Sequence, residues 1–302
     1  MELHLAPLEN VSCWAFRKLC RGQTDSYTGM LSLSNLVKRN NAWKEVDTFP
    51  IDNQRQWIQF ATSKEAECAA FLVKLEEELK AFPEKNNVYG LQLNASCPSP
   101  SLIRIGQGPA LIKRGLKITN LLNELLKGRF KVSIKVRLGL HEHEVKQQKL
   151  ISLFAHLEKI KHPNFTGVTV HFKHAKQKSA DAYNYDMLKE LVKFDVPIII
   201  NGGINSYADF LKITKGIDLK NVKGFMVGRK AMENPDAIAQ MKNALNNTPF
   251  TPRTPEQTKA EFESLCKEHV PNQSYTDKIK KYCAWARGNE PQAEYTPKGF
   301  YG

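Results

Sequence analysis

Over roughly its first 230 residues the chain repeats one pattern: a short apolar run, a polar or glycine-containing turn, then an amphipathic stretch. Eight apolar runs have strand length, at 3–8, 25–30, 56–61, 88–94, 131–138, 167–172, 196–200 and 222–227. Several, such as Val-Pro-Ile-Ile-Ile at 196–200, are apolar on both faces, as parallel strands covered on both sides must be. Helical periodicity fills the gaps, at 64–80 (with Ala69, Leu72, Val73, Leu75 and Leu79 between charges), 109–126, 144–160, 185–194, 207–214 and 231–245. Eight alternating units in about 245 residues predict an α/β fold, a (β/α)8 TIM barrel over residues 1–246. A doubly wound open sheet would want a glycine fingerprint after the first strand, and Ala6-Pro7-Leu8-Glu9-Asn10 is not one.

Beyond residue 246 the pattern changes. Pro249, Pro252 and Pro255 fall within seven residues and predict a semi-rigid linker over 247–255. Two helical segments, 256–268 and 275–287, predict a small C-terminal all-helical domain over 256–302. The second carries Lys278, Lys280, Lys281 and Arg287 interleaved with Tyr282 and Trp285, without an acid among them. The last fifteen residues are rich in glycine and proline and are expected to form a flexible tail.

Composition removes several function classes. No apolar run approaches the roughly 18 residues of a membrane span. The opening Met-Glu-Leu-His-Leu-Ala-Pro is too short and mixed for a signal peptide, so a cytoplasmic protein is expected. Six cysteines without a Cys-x-x-Cys argue against a disulfide framework or a zinc knuckle. The net charge of +13 is concentrated: residues 101–180 hold sixteen Lys and Arg against Glu124, Glu142, Glu144 and Glu158, leaving twelve of the thirteen charges there. Such a tract favours a polyanionic partner, nucleic acid first, over a merely solvated basic face.

Reactive groups in a (β/α)8 barrel sit at the C-terminal strand ends. Each predicted strand ends in a polar or special residue: Pro7-Leu8-Glu9, Thr28-Gly29-Met30, Gln59, Asn94 through Cys97-Pro98, Lys135 and Arg137, His171, Asn201-Gly202-Gly203, and Gly228-Arg229. One shared mouth explains this economically. The last two loops suit a phosphate, through close backbone approach and the Arg229 fork, although two ordinary turns would read the same. Lys135, inward on Val-Ser-Ile-Lys-Val-Arg-Leu, needs a counter-charge or an electron-rich partner. An anionic reduced flavin ring would supply one, and a polar layer shared with Ser133 and Arg137 is the alternative. Cys97, mostly protonated at neutral pH, can serve as a general acid, whereas most buried cysteines are inert. No grouping has convincing metal-ligand spacing; His141-Glu142-His143 reads as a solvated helix entry.

Taken together these segments resemble the tRNA-dihydrouridine synthase family of flavoenzymes. Leu-Ala-Pro-Leu-Glu-Asn-Val-Ser-Cys-Trp-Ala-Phe-Arg is similar to the family's opening, and Leu-Asn-Ala-Ser-Cys-Pro to its Asn-x-Gly-Cys-Pro loop. Ile-Lys-Val-Arg-Leu-Gly, Thr-Val-His, Ile-Asn-Gly-Gly-Ile and Met-Val-Gly-Arg-Lys-Ala-Met-Glu-Asn-Pro follow in order, so the likeness spans about residues 3–237. It implies FMN in the barrel mouth, with Pro7, Leu8, Glu9, Gln59, Lys135 and His171 at the ring. Asn201, Gly202, Gly203, Gly228 and Arg229 would hold the phosphate. It further implies NADPH as reductant and Cys97 as the acid that protonates C5 of a tRNA uridine reduced at C6. Asn94, Arg137, Lys173 and His174, with Lys278, Lys281 and Arg287 on the tail, are expected to face tRNA. A monomer without a metal or membrane association completes the expectation. The chain departs from the pattern at Leu8, Gly29, Ser96 and Phe172-Lys173-His174 (where the family reads Gly-Arg-Thr), and its tail is shorter. Two other readings stay open: a flavin barrel acting on a free pyrimidine, like dihydroorotate dehydrogenase, and a non-catalytic tRNA-binding barrel.

Overall fold

The computed structural model describes residues 1–287. Eight parallel strands close on themselves: β1 (Glu2–Leu5), β2 (Asp25–Tyr27), β3 (Arg55–Ala61), β4 (Val88–Ala95), β5 (Lys131–Arg137), β6 (Phe165–His171), β7 (Ile198–Asn201) and β8 (Val222–Val227). Each pairs with its neighbours, and β8 returns to β1 in the register Leu3↔Phe225 and Leu5↔Val227. With helices between successive strands this is the expected (β/α)8 barrel.

Helix boundaries depart from the periodicity where backbone chemistry intervenes. The 231–245 segment is two helices, Arg229–Glu233 and Ala237–Leu245, because Pro235 lacks an amide donor and pushes Asn234 out of the helical region. The 144–160 segment divides at Gln148, which takes a left-handed φ of 54° between Glu142–Lys146 and Lys149–Leu157. Residues 109–126 form a 3-10 turn, Gly108–Lys113, then a helix, Gly115–Leu125. Two six-residue helices, Trp14–Leu19 and Leu33–Lys38, and a two-residue strand, Leu31–Ser32, are too short to announce a period.

Strand residues that face outward, among them Leu5, Phe60, Leu93, Ile134, Val170, Ile200 and Phe225, are wholly buried against the helices. The lumen is different. Among the described residues, Ala6, Tyr27, Trp57, Ile199 and Met226 form a small apolar cluster there. Beneath them the entry is plugged by ions: Arg55 bonds both Glu2 and Asp25, Trp57 donates to Asp25 at 2.7 Å, and His4 meets the Tyr27 hydroxyl at 2.8 Å. Glu2, His4 and Asp25 lie close enough to share a metal ion, but Arg55 already satisfies both carboxylates, so the grouping reads as a plug. Nearer the mouth, register aligns Asn94 with Lys135 and Thr169, and Gln59 with Gln92 and Ser133, giving a polar interior. A relay crosses it: Asn94 donates to Gln59 (2.8 Å), Gln59 to Gln92 (2.7 Å), and Gln92 to Ser133 (3.1 Å).

The C-terminal helices, Pro255–Glu268, Gln273–Tyr282 and Ala284–Arg287, pack on the barrel wall rather than standing off it. Phe262, Leu265, Tyr275, Ile279 and Trp285 belong to the same continuous core as the barrel helices. Trp285 donates to the Met232 carbonyl at 2.9 Å, and His269 stacks on Phe49 with its edge toward Trp14. The proline-rich segment is fastened by Arg253, whose guanidinium reaches the Asp236 carboxylate, Glu261 (2.8 Å) and the Leu19 carbonyl (2.9 Å). The tail expected after residue 287 lies outside the described residues.

Asp236 and Arg253 are both almost fully enclosed, with side chains 3% and 10% exposed, so removing one partner strands the other's charge. Arg253→Met is expected to lower the unfolding free energy in urea by about 3 kcal/mol, with Asp236→Asn in the same chain restoring part of it. An unchanged denaturation midpoint for Arg253→Met would remove this pair as the fastening of the C-terminal helices.

Candidate active site

At the β4 end, Asn94 shapes the turn that carries Cys97. Its Oδ1 accepts the amides of Ser96 (2.9 Å) and Cys97 (2.8 Å), and Arg137 at the end of β5 donates to the Ser96 carbonyl at 2.8 Å. Gly108 closes over the turn: its φ is +58°, and a Cβ there would lie 2.7 Å from the Cys97 carbonyl oxygen. Burial pushes the Cys97 thiol up to about 11, so it stays protonated through the physiological range.

Opposite Asn94 in the register, Lys135 is buried with its Nζ donating to Asn201 Oδ1 at 2.8 Å, while Asn201 donates onward to the Met226 carbonyl at 2.9 Å. Burial foremost, then the nearby Arg137, bring the ammonium down to about 7. Burial likewise keeps the His171 imidazole neutral, and its Nδ1 has no hydrogen-bond partner among the described residues. These are groups built to meet something: a buried ammonium without a carboxylate and a buried ring nitrogen without a partner.

The Asn201-Gly202-Gly203 turn needs its glycines. Their φ values are +98° and +70°, and Cβ atoms there would lie 2.5 Å from the Tyr183 ring and 2.3 Å from the Tyr185 hydroxyl. Among the described residues no acceptor is found for the Gly202 or Gly203 amides, which remain available to an anion.

Two adjoining cavities, about 230 and 310 Å³, open at this end of the barrel and share Pro7, Leu8, Lys135, Arg137, His171, Tyr183 and Arg229. Cys97, Glu9 and Gln59 line the first; Asn201, Gly202, Gly203 and Gly228 line the second. Every residue expected around the flavin and its phosphate therefore borders one continuous space with Cys97. Among the described residues Glu9 is the one acid bordering it, against Lys135, Arg137, Lys173, Lys178, Arg229 and Lys230, so the space favours anions.

The residues expected to face tRNA separate into groups. Asn94, Arg137 and Lys173 line the first cavity, but the Lys173 ammonium donates to the carbonyls of Lys178 (3.0 Å) and Ser179 (2.7 Å). His174 borders neither cavity, its amide donating to Gln177. Lys278 and Lys281 lie on the tail helix over the Tyr282 ring, and Arg287 ends the last described helix; none borders the cavities. The sequence reading missed Tyr183 and Ser179, which come from the long loop after β6. The aromatic pair in Tyr183-Asn184-Tyr185, just ahead of a helix, was the available signal.

The basic tract of 101–180 is not one face. Lys127, Arg129 and Lys131 lead into β5 and Lys159 and Lys161 lead into β6, at the barrel end opposite the site. Several there pair with acids: Lys127 with Glu124, Arg129 with Glu76, Lys161 with Asp195. Arg104, Arg114, Lys176 and Lys178 follow β4 or β6, on the mouth side.

The chain is similar to known proteins. The family model described as dihydrouridine synthase (Dus) matches residues 4–295. A probable tRNA-dihydrouridine synthase from Aquifex aeolicus is 28% identical over 250 residues, covering 80% of this chain and 72% of that one. One from Helicobacter pylori (strain 26695) is 26% identical over 252 residues, covering 82% and 72%. Among solved structures, an Old Yellow Enzyme from Pichia sp. AKU4542 shares the fold, with a TM-score of 0.50 at 12% identity and 86% of each chain covered. A single family pattern thus runs from the first barrel strand to beyond the last described helix, and the chain belongs to the dihydrouridine synthase family.

Proposed function

We propose that this chain is an FMN-dependent tRNA-dihydrouridine synthase, reducing the C5=C6 bond of tRNA uridine with NADPH as electron source and Cys97 as proton donor. The observation that carries the reading is the meeting of a protonated thiol, a buried ammonium without a carboxylate and two unengaged glycine amides on one rim. The donor set fits FMN. Lys135 would lie toward the electron-rich part of the ring, His171 and Gln59 beside it, and Pro7 and Leu8 against its apolar face. The amides of Gly202 and Gly203, with Gly228 and Arg229, would hold the phosphate.

When bound, FMN supplies the hydride that adds to C6. The protein's own part follows from the substrate's chemistry. The C4 carbonyl conjugates with C5=C6, so hydride at C6 leaves an enolate whose C5 must take a proton. Cys97 stands where burial keeps the thiol protonated, and Asn94 and Arg137 fix the turn that aims it. The thiol gives its proton to C5, the enolate collapses to the C4 carbonyl, and the resulting thiolate recovers a proton from solvent. The target base must leave its stack to reach this depth. The protein is expected to act as a cytoplasmic monomer, where tRNA is met.

Purified protein is expected to be yellow and to release FMN on denaturation; a colourless protein that cannot be reconstituted overturns the reading, as does turnover of free uracil or orotate without tRNA. Cys97→Ala is expected to keep flavin content and NADPH bleaching while slowing flavin reoxidation by tRNA by roughly 100-fold or more, the scale of general acid catalysis. Equal reoxidation rates would take Cys97 out of the acid role. Because the acid must be protonated, reoxidation by tRNA should hold steady through neutral pH and fall as pH rises toward about 11; a fall centred near pH 7 would place the required proton elsewhere.

A further inference from the structure

The loop between β6 and the helix Asp186–Leu191 replaces the family's usual Gly-Arg-Thr, and its construction is unusually self-contained. Its ends are tied by the Asn184 amide to the Phe172 carbonyl at 2.9 Å, above a wholly buried Phe172 ring. The Ala175 amide reaches the Gly139 carbonyl (3.0 Å), joining it to the loop after β5. Inside, Gln177 accepts the His174 amide (2.8 Å) and donates to the Ala182 carbonyl (3.1 Å). The Asp181 carboxylate accepts the Lys178 amide at 2.7 Å. Lys173, only 2% exposed, holds the centre: its ammonium donates to the carbonyls of Lys178 and Ser179 and lies 4.3 Å over the Tyr183 ring. Tyr183 in turn occupies the hollow left by Gly202 and Gly203.

All this order leaves two cations facing outward. Lys176 and Lys178 are exposed, neither ammonium has a partner among the described residues, and Lys178 borders the cavity that holds Cys97. The loop's one acid, Asp181, accepts a backbone amide and forms no ion pair with either of these lysines. At the opposite end of the barrel, by contrast, Lys127, Arg129 and Lys161 each pair with an acid. An internally hydrogen-bonded loop that presents ammonium groups without ion-pair partners beside a mouth suits a chain of phosphates, since its backbone is already held in place before binding.

We infer that residues 172–184 form a prefolded rim that grips RNA phosphates beside the extruded uridine through Lys176 and Lys178, with Lys173 as the positioning residue inside it. The contact thus shifts from Lys173 and His174, where the sequence had suggested it, to the next two lysines. The inference deepens the tRNA reading and takes from it the identity of the polyanion.

The test is equilibrium binding of an unmodified tRNA transcript to the full chain without NADPH, across a salt series, with flavin content read alongside to confirm an intact barrel. Lys176→Gln with Lys178→Gln is expected to weaken binding about tenfold and to reduce the slope of log Kd against log salt by about two. A control pair at the other barrel end, Lys127→Gln with Lys159→Gln, should change affinity less than about twofold. Lys173→Met should weaken binding in the wild-type loop yet add nothing once Lys176 and Lys178 are gone. Equal weakening by both pairs, no change from the rim pair, or a further loss from Lys173→Met in the double variant would each overturn the inference. A chain that binds tRNA in this way but does not reduce it would sink the proposed activity and leave the rim standing.

Discussion

The site depends on an ammonium group buried without a carboxylate. Lys135 is buried inside a parallel barrel at the cavity lining, and the hydrogen-bond partner found for it among the described residues is the amide oxygen of Asn201. A charge so placed is costly unless a ligand completes its surroundings. Its depressed pKa expresses that cost. The polar relay from Asn94 through Gln59 and Gln92 to Ser133, the unpartnered His171 nitrogen and the open glycine amides belong to the same economy of an interior that stays polar because it receives something polar.

The rest of the fold holds that interior in place. The apolar layer between strands and helices packs the cylinder wall, and the Glu2–Asp25–Arg55 ion cluster ties the strands together at the far end. The C-terminal helices, fastened through Arg253 and Trp285, thicken the wall beside the helix Trp14–Leu19. They also approach the mouth: the Tyr275 hydroxyl, bonded to Glu45, lies 3.3 Å from where a Gly29 Cβ would be, next to cavity-lining Met30. A larger side chain at position 29 would have to displace it, which gives the glycine at this departure from the family pattern a packing reason.

Loops divide the labour around the cavity. The turn after β4 presents an acid whose proton burial protects. The turn after β7 presents amides, and its glycines serve two purposes, since their bare Cα atoms also seat Tyr183. The loop after β6 is a braced structure in its own right, and its buried lysine shows that a basic residue near an anion site need not touch the anion.

Much of this was legible in the residues themselves. Strand-length apolar runs separated by helical stretches marked eight strands, of which 222–227 coincides with β8, because the faces turned toward the helices are buried and must be apolar. The clustering of Pro7, Cys97, Lys135, His171 and Arg229 at strand ends was likewise readable, since parallel strands all end on the same rim. Chain order could not reveal which charges are opposed. Arg129 and Lys176 look alike in sequence, yet one meets Glu76, 53 positions earlier, at the end opposite the site, and the other projects from the mouth. Nor could it show that Lys173 points inward, that Tyr183 fills the hollow of a distant glycine turn, or that the proline-rich segment is clamped by Arg253. These depend on groups brought together from far apart in the chain, and only the closed barrel puts them within a hydrogen bond or a ring's width of one another.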